Sequence, residues 1–209
     1  MTLSFDASAD RPTRLGIFIS GGGTTMLNLA EQIKAGKLDA EIGVVISSRA
    51  DAAGVARAQQ TGLATHVVSR KDYASVEAFS DAVWQVVDRY EIDLVCMAGF
   101  LSLLRIPERY LGRVMNIHPS LLPKFGGKGM FGRHVHEAVI AAGESESGCT
   151  VHFANNAYDQ GPIILQRRCP VLPDDTAETL AERVFEQECL AYPEAIRMIQ
   201  SGEVRYDIG

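Results

Sequence analysis

Only four cysteines occur in the 209 residues, and none forms a Cys-x-x-Cys pair, so neither a disulfide framework nor a thiolate zinc site is expected. Cys96, Cys149, Cys169 and Cys189 stand far apart, three of them in apolar surroundings, as free thiols packed like small hydrophobes do. A reducing compartment, the cytoplasm, follows as the expectation. Positive charge is scarce too. Twenty Lys and Arg against 26 Asp and Glu give a net charge of −6, which speaks against nucleic acid as a partner, because phosphate backbones demand a concentrated basic surface. No apolar run approaches the roughly 20 residues that cross a bilayer, and the polar start lacks the apolar stretch of a signal peptide. No membrane partner is expected, and residues 1–13 read as a loose arm. Without a repeat or a low-complexity linker, residues 1–209 are expected to form one domain. His134 and His136 alternate as metal ligands can, but no further ligand of suitable spacing is nearby, and no metal is expected.

What is present is an alternation of short β-branched runs with helical patterns, the mark of βαβ units and a mostly parallel, doubly wound α/β sheet. Strands are expected at 15–19, 42–46, 66–68, 94–97 and 114–117, and helices at about 24–35, 52–60 and 76–90. After the fifth strand regular structure lapses through a glycine-rich stretch, 126–132, before a short helix at 135–141. The last third changes character. Strands at 148–153 and 163–171, joined by a short connection, make an antiparallel hairpin. Asp175 with Glu178 three residues on resembles a capping box opening a long helix, which Pro193 should kink or restart.

Three places carry chemistry. The loop Ser20-Gly21-Gly22-Gly23-Thr24-Thr25 lies between a strand and a helix, where glycines admit a close ligand and free N–H groups meet an anion. No Lys-Ser/Thr pair follows the glycines, and Met26 spoils the dinucleotide fingerprint, so a single phosphate fits best. The second place is Asn116-Ile117-His118-Pro119-Ser120 at the carboxyl end of a strand, where open α/β sheets keep their sites. Asn116 and His118 alternate, so they share a face; an amide beside an imidazole can stabilise an oxyanion and exchange protons. The third is Asp159 in the turn Tyr158-Asp159-Gln160-Gly161-Pro162. If the hairpin brings it to His118, its carboxylate favours the imidazolium. His152 is expected as a packed or hydrogen-bonded neighbour, and Trp84 as core.

Those motifs, from Asn116 to Pro123, together with Gly148-Cys149-Thr150-Val151-His152-Phe153 and Asp159-Gln160-Gly161-Pro162-Ile163-Ile164, strongly resemble the phosphoribosylglycinamide formyltransferases, a branch of the folate-dependent formyltransferases. The likeness runs from about Leu15 to Val204. The methionyl-tRNA branch would carry an additional C-terminal domain, which is not expected here. The resemblance implies a Rossmann-like formyltransferase fold and a co-substrate, 10-formyltetrahydrofolate, whose formyl carbon is attacked directly by the amine of glycinamide ribonucleotide. His118, held protonated with help from Asp159, and Asn116 would stabilise the oxyanion. Gly23, Thr24 and Thr25 would hold the substrate phosphate, and Gln187 and Glu188 would line the ribonucleotide site. The pterin would lie against Leu101, Ser102, Leu103 and Leu104 and the loop Asn155, Asn156, Ala157 and Tyr158. The implied partners are these small molecules, with the chain a monomer or homodimer.

Departures from the family pattern are visible as well. Its usual loop, Gly-Asn/Thr-Gly-Ser-Asn, is Gly21-Gly22-Gly23-Thr24-Thr25 here, Ser102 stands where an arginine is common, and Val76 where a basic residue serves the folate tail. The stretch 126–133 is longer than usual and reads as a flap in which Lys128 or Arg133 replaces a missing anion contact. The altered loop leaves room for another amine acceptor, such as an amino sugar nucleotide. A formyltetrahydrofolate hydrolase and a non-catalytic folate or nucleotide binder also stay open. The joint presence of Asn116, His118 and Asp159 counts against the binder.

Overall fold

A computed structural model describes residues 2–3 and 11–207. Its elements, in chain order, are β1 (Thr2–Leu3), β2 (Thr13–Ile19), α1 (Thr24–Lys34), β3 (Ala40–Ser47), α2 (Ala53–Gln60), β4 (Thr65–Val67), α3 (Val76–Val87), β5 (Leu94–Met97), β6 (Val114–His118), α4 (Arg133–Ala141), β7 (Glu146–Phe153), β8 (Ile163–Pro170), α5 (Ala177–Gln200) and β9 (Tyr206–Asp207). Of the expected N-terminal arm, residues 1 and 4–10 lie outside the described residues. Thr2–Leu3 pairs antiparallel with Tyr206–Asp207, and Thr13 already opens the main sheet.

Seven strands form that sheet in the order β4-β3-β2-β5-β6-β7-β8. The first five run parallel, and β7 and β8 add an antiparallel edge. From β2 the chain winds outward to β3 and β4, then returns to start again at β5, so strand order reverses between β2 and β5. Such a reversal opens a crevice at the carboxyl ends of the strands.

Strand alternation divides the core in two. Leu15, Ile17 and Ile19 of β2, with Leu94 and Cys96 of β5 and Met115 and Ile117 of β6, face α1 and α5. Phe18, Val95 and Val114 point the other way, to Phe79, Val83 and Trp84 of α3. By the same alternation Asn116 and His118 share the face of Val114. All four cysteines are free, and three are buried. Among the described residues, no helix is long and apolar enough to cross a membrane.

α5 differs from the sequence expectation in two ways. Its cap is Thr176, whose hydroxyl accepts from Thr179 N–H while Thr179 reaches back to the Thr176 N–H. Asp175 stands one residue outside, accepting from Leu172 N–H and from Arg183. Pro193 does not break the helix. Lacking an N–H, Pro193 leaves the carbonyl of Cys189, four residues back, without its helical donor. The side-chain amide of Asn28 on α1 donates to that carbonyl at 3.0 Å. The two helices are thereby joined at the one rung that proline removes.

Candidate active site

β6 delivers the first two side chains. It pairs antiparallel with β7, setting Asn116 opposite His152 and His118 opposite Thr150. His152 Nδ1 donates to the Phe153 carbonyl at 2.8 Å, which leaves Nε2 to accept from Asn116 Nδ2 at 3.1 Å. The turn after β7 brings the third. Gly161 lies so close to that strand that a Cβ would fall 1.7 Å from the Phe153 carbonyl oxygen, so only glycine lets the turn settle there. Asp159 then sits with Oδ1 3.4 Å from Asn116 Nδ2 and 3.7 Å from His152 Nε2. Its Oδ2 lies 3.5 Å from His118 Nδ1 and accepts from Gly127 N–H at 2.9 Å. Three residues from distant parts of the chain converge on one spot.

His118 is 4% exposed, and its Nε2 donates to the Phe125 carbonyl at 2.7 Å. Burial lowers its pKa below the usual imidazole value, outweighing the pull of Asp159 and of the Phe125 carbonyl in the other direction. This corrects the expectation of an imidazole held protonated: the carboxylate favours the cation, but desolvation is the larger effect. For Asp159 burial again opposes charge, yet His152, His118 and the Gly127 N–H together hold the carboxyl below the ordinary aspartate value.

A cleft of about 360 Å³ opens over Asn116, His118 and Asp159, walled by Phe100, Leu101 and Tyr158 and covered by residues 127–132. A narrower recess continues from it between Ser102, Leu103 and Leu104 on one side and Asn155 and Ala157 on the other. Asn156 turns away, its Oδ1 accepting from Ile106 N–H. Leu101 N–H donates to Ser20 Oγ, which also meets Ser48 Oγ at 2.6 Å, so the tips of β2, β3 and β5 are tied together.

The phosphate-loop residues sit apart from this cleft, at the start of α1, with Gly23 as the N-cap, Thr24 exposed and Thr25 buried. No acidic side chain occupies the first turn of α1, which leaves its free N–H groups available to an anion. Gln187 and Glu188 lie on α5 beside Cys189, the residue that Asn28 of α1 contacts. Burial alone pushes the Glu188 carboxyl up to about 7. The two proposed cations of the flap separate: Arg133 is engaged by Glu137 and Glu178, each at 2.6 Å, whereas Lys128 lines the cleft. Among the described residues no group of three or more His, Cys, Asp or Glu is placed to hold a metal ion.

Residues 13–196 match the family model described as Formyl transferase. The chain belongs to this family. It is 36% identical to the phosphoribosylglycinamide formyltransferase of Haemophilus influenzae over 194 residues, which are 92% of this chain and 89% of that protein. It is 39% identical to the trifunctional purine biosynthetic protein adenosine-3 of Gallus gallus, but spans only 19% of that protein's length. Among solved structures, the phosphoribosylglycinamide formyltransferase of Coxiella burnetii superposes with a TM-score of 0.86 at 39% identity, covering 94% of this chain and 91% of that one. Relative to the sequence reading, what this formyl transferase adds is mostly backbone. The Phe125 carbonyl and the Gly127 N–H touch the central residues, yet main-chain groups leave no trace in residue types. The one available hint was the run of glycines from 126 to 132.

Proposed function

We propose that this chain transfers the formyl group of 10-formyltetrahydrofolate to the amine of glycinamide ribonucleotide, a step in purine (IMP) synthesis, and works in the cytoplasm as one formyltransferase domain on small molecules. The observation that carries the reading is the convergence of Asn116, His118 and Asp159 at the end of β6, beside a recess that shares Phe100, Asn116, Tyr158 and Asp159 with the cleft. The Haemophilus influenzae relative, which bears the name of this reaction and is covered over most of its length, supports it.

In this reading the pterin enters the recess between Leu104 and Ala157, and the formyl carbon comes to rest over Asn116. The substrate phosphate binds at Gly23, Thr24 and Thr25, and Gln187 and Glu188 flank the ribose. The amine nitrogen attacks the formyl carbon, a C–N bond forms, and the carbonyl oxygen takes up negative charge. The Asn116 amide can turn a proton toward that oxygen by releasing its long contact to Asp159, which costs little at 3.4 Å. The new negative charge raises the proton affinity of the neutral His118, whose Nδ1 then accepts a proton from the attacking amine with Asp159 stabilising the cation. As the bond from carbon to folate nitrogen breaks and the carbonyl re-forms, that nitrogen takes the proton from the His118 imidazolium, which returns to its starting state. Acyl transfer thus closes without a covalent enzyme intermediate.

The test is an absorbance assay for deformylation of 10-formyltetrahydrofolate with and without glycinamide ribonucleotide. Turnover that depends on the amine is expected. Deformylation without it would replace the transferase by a hydrolase, and none under either condition would end the catalytic reading. His118→Ala should bind both ligands and lose about 100- to 10,000-fold in kcat, as removal of a positioned acid–base group does.

A further inference from the structure

The loop between β2 and α1 is held from outside, by α2. Gly54, the second residue of α2, donates its N–H to the Gly21 carbonyl at 3.0 Å. It presses so closely on the loop that a Cβ there would fall 2.9 Å from the Gly21 oxygen and 2.6 Å from Ile19 Cδ1. Only glycine seats the helix at this distance. Three residues on, along the same face of α2, Arg57 Nη1 donates to the Gly22 carbonyl at 2.7 Å. Leu27 N–H donates to the Gly23 carbonyl at 3.0 Å.

The carbonyls of Gly21, Gly22 and Gly23 are thus each bonded, so their lone pairs are turned from any anion that approaches. The N–H groups of Gly22, Gly23, Thr24 and Thr25, by contrast, meet no acceptor among the described residues. α1 itself brings no basic side chain to this end, its lysine, Lys34, standing in the last turn. The countercharge for a phosphate has to come from another element. Arg57 is exposed, and among the described residues its guanidinium has the Gly22 carbonyl as its one partner. Arg49, earlier in the same segment, is instead occupied by Asp51. A guanidinium keeps further N–H donors once one is used.

We propose that Arg57 determines specificity for a phosphorylated acceptor, its charge and remaining donors engaging the phosphate that the N–H groups of the loop receive. The identity of that acceptor rests on the formyl-transfer reading. An arginine suits the place because its planar fork can hold a carbonyl with one nitrogen and a phosphate oxygen with another. With Arg57 removed, the Gly22 carbonyl regains a free lone pair beside the phosphate and the loop loses its cation. The cleft over Asn116, His118 and Asp159, which Arg57 does not line, is untouched.

The experiment compares glycinamide ribonucleotide with its dephosphorylated riboside in steady-state kinetics, and titrates the ribonucleotide calorimetrically into the full-length, folate-free protein. Wild type should prefer the ribonucleotide. Arg57→Gln, which keeps an amide donor but no charge, should raise KM and Kd for the ribonucleotide about 10- to 100-fold, as loss of a charge-assisted pair does. The loss should fall on KM, with kcat and the KM for 10-formyltetrahydrofolate within about twofold of wild type. For the riboside, kcat/KM should differ by no more than about twofold between the two proteins. Arg57→Lys, which restores the charge without the fork, should recover part of the affinity. A loss shared equally by ribonucleotide and riboside would make Arg57 a structural residue and overturn the proposal. So would an unchanged Kd in folded Arg57→Gln, or a wild type without preference for the ribonucleotide. If the wild type binds the ribonucleotide but transfers nothing, the formyl-transfer reading falls, and calorimetry still decides the role of Arg57.

Discussion

Asp159 only accepts: Gly127 N–H and the Asn116 amide point at it, and His118 Nδ1 faces it. Its left-handed φ of 54 is one that Asp and Asn tolerate better than most residues, since their short polar side chains bond locally. Asp159→Asn therefore keeps the turn and removes only the charge. With the carboxylate gone, only the Phe125 carbonyl still opposes the burial of His118, so its imidazole should titrate lower still than in wild type. NMR titration of His118 checks this; an upward move contradicts it. In the same variant kcat should drop on the order of 100-fold or more, since the cation formed during transfer loses its partner. The three residues were visible in the sequence by type and position, Asn116 and His118 through strand alternation and Asp159 through its turn. The sign of the His118 shift was not, because desolvation depends on how many side chains close over the ring.

At the scale of elements, α1 and α5 share an interaction that either helix alone would lack. Asn28 supplies the donor that Pro193 withholds from the Cys189 carbonyl. Asn28→Ala leaves this carbonyl unpaired and should cost about 1–2 kcal/mol in denaturant unfolding. Pro193→Ala restores a backbone N–H, so in that background Asn28→Ala should cost clearly less. Equal costs in the two backgrounds of this double-mutant cycle would show that the bond does not stand in for the missing rung. The helix runs on through Pro193 rather than restarting there, and the donor that replaces the missing N–H sits 161 residues away in sequence. The capping box shifts for a similar reason. Asp175 is drawn into a bidentate pair with Arg183, two turns into the helix, and leaves the cap to Thr176.

For the whole molecule, Glu188 couples stability to pH. Its carboxyl is raised from 4.5 to about 7 by burial, near the Cys149 thiol and the Tyr192 hydroxyl. A carboxyl with a higher pKa in the folded chain holds its proton there while the unfolded chain has released it. The Glu188 contribution to stability is therefore full below about pH 4.5 and is lost as pH rises toward 7, by on the order of 3 kcal/mol. The stability of wild type relative to Glu188→Gln, from urea unfolding between pH 5 and 8, should fall as pH rises. The same slope in the variant would place the titration elsewhere.

Local pattern determined much of this protein. Short β-branched runs set out the strands of the sheet, glycine and threonine marked the start of α1, and motif spacing brought the family likeness and the residues Asn116, His118 and Asp159 into view. These are short-range properties, legible because backbone geometry repeats every two or 3.6 residues. Only the tertiary structure decided that burial outweighs Asp159 at His118, that Thr150 and Gln166 bond to the backbone behind the cleft, and that Asn28 supplies the donor Pro193 lacks. Each of these is a contact or a desolvation between segments far apart in the chain, and such quantities exist only once the fold has closed around them.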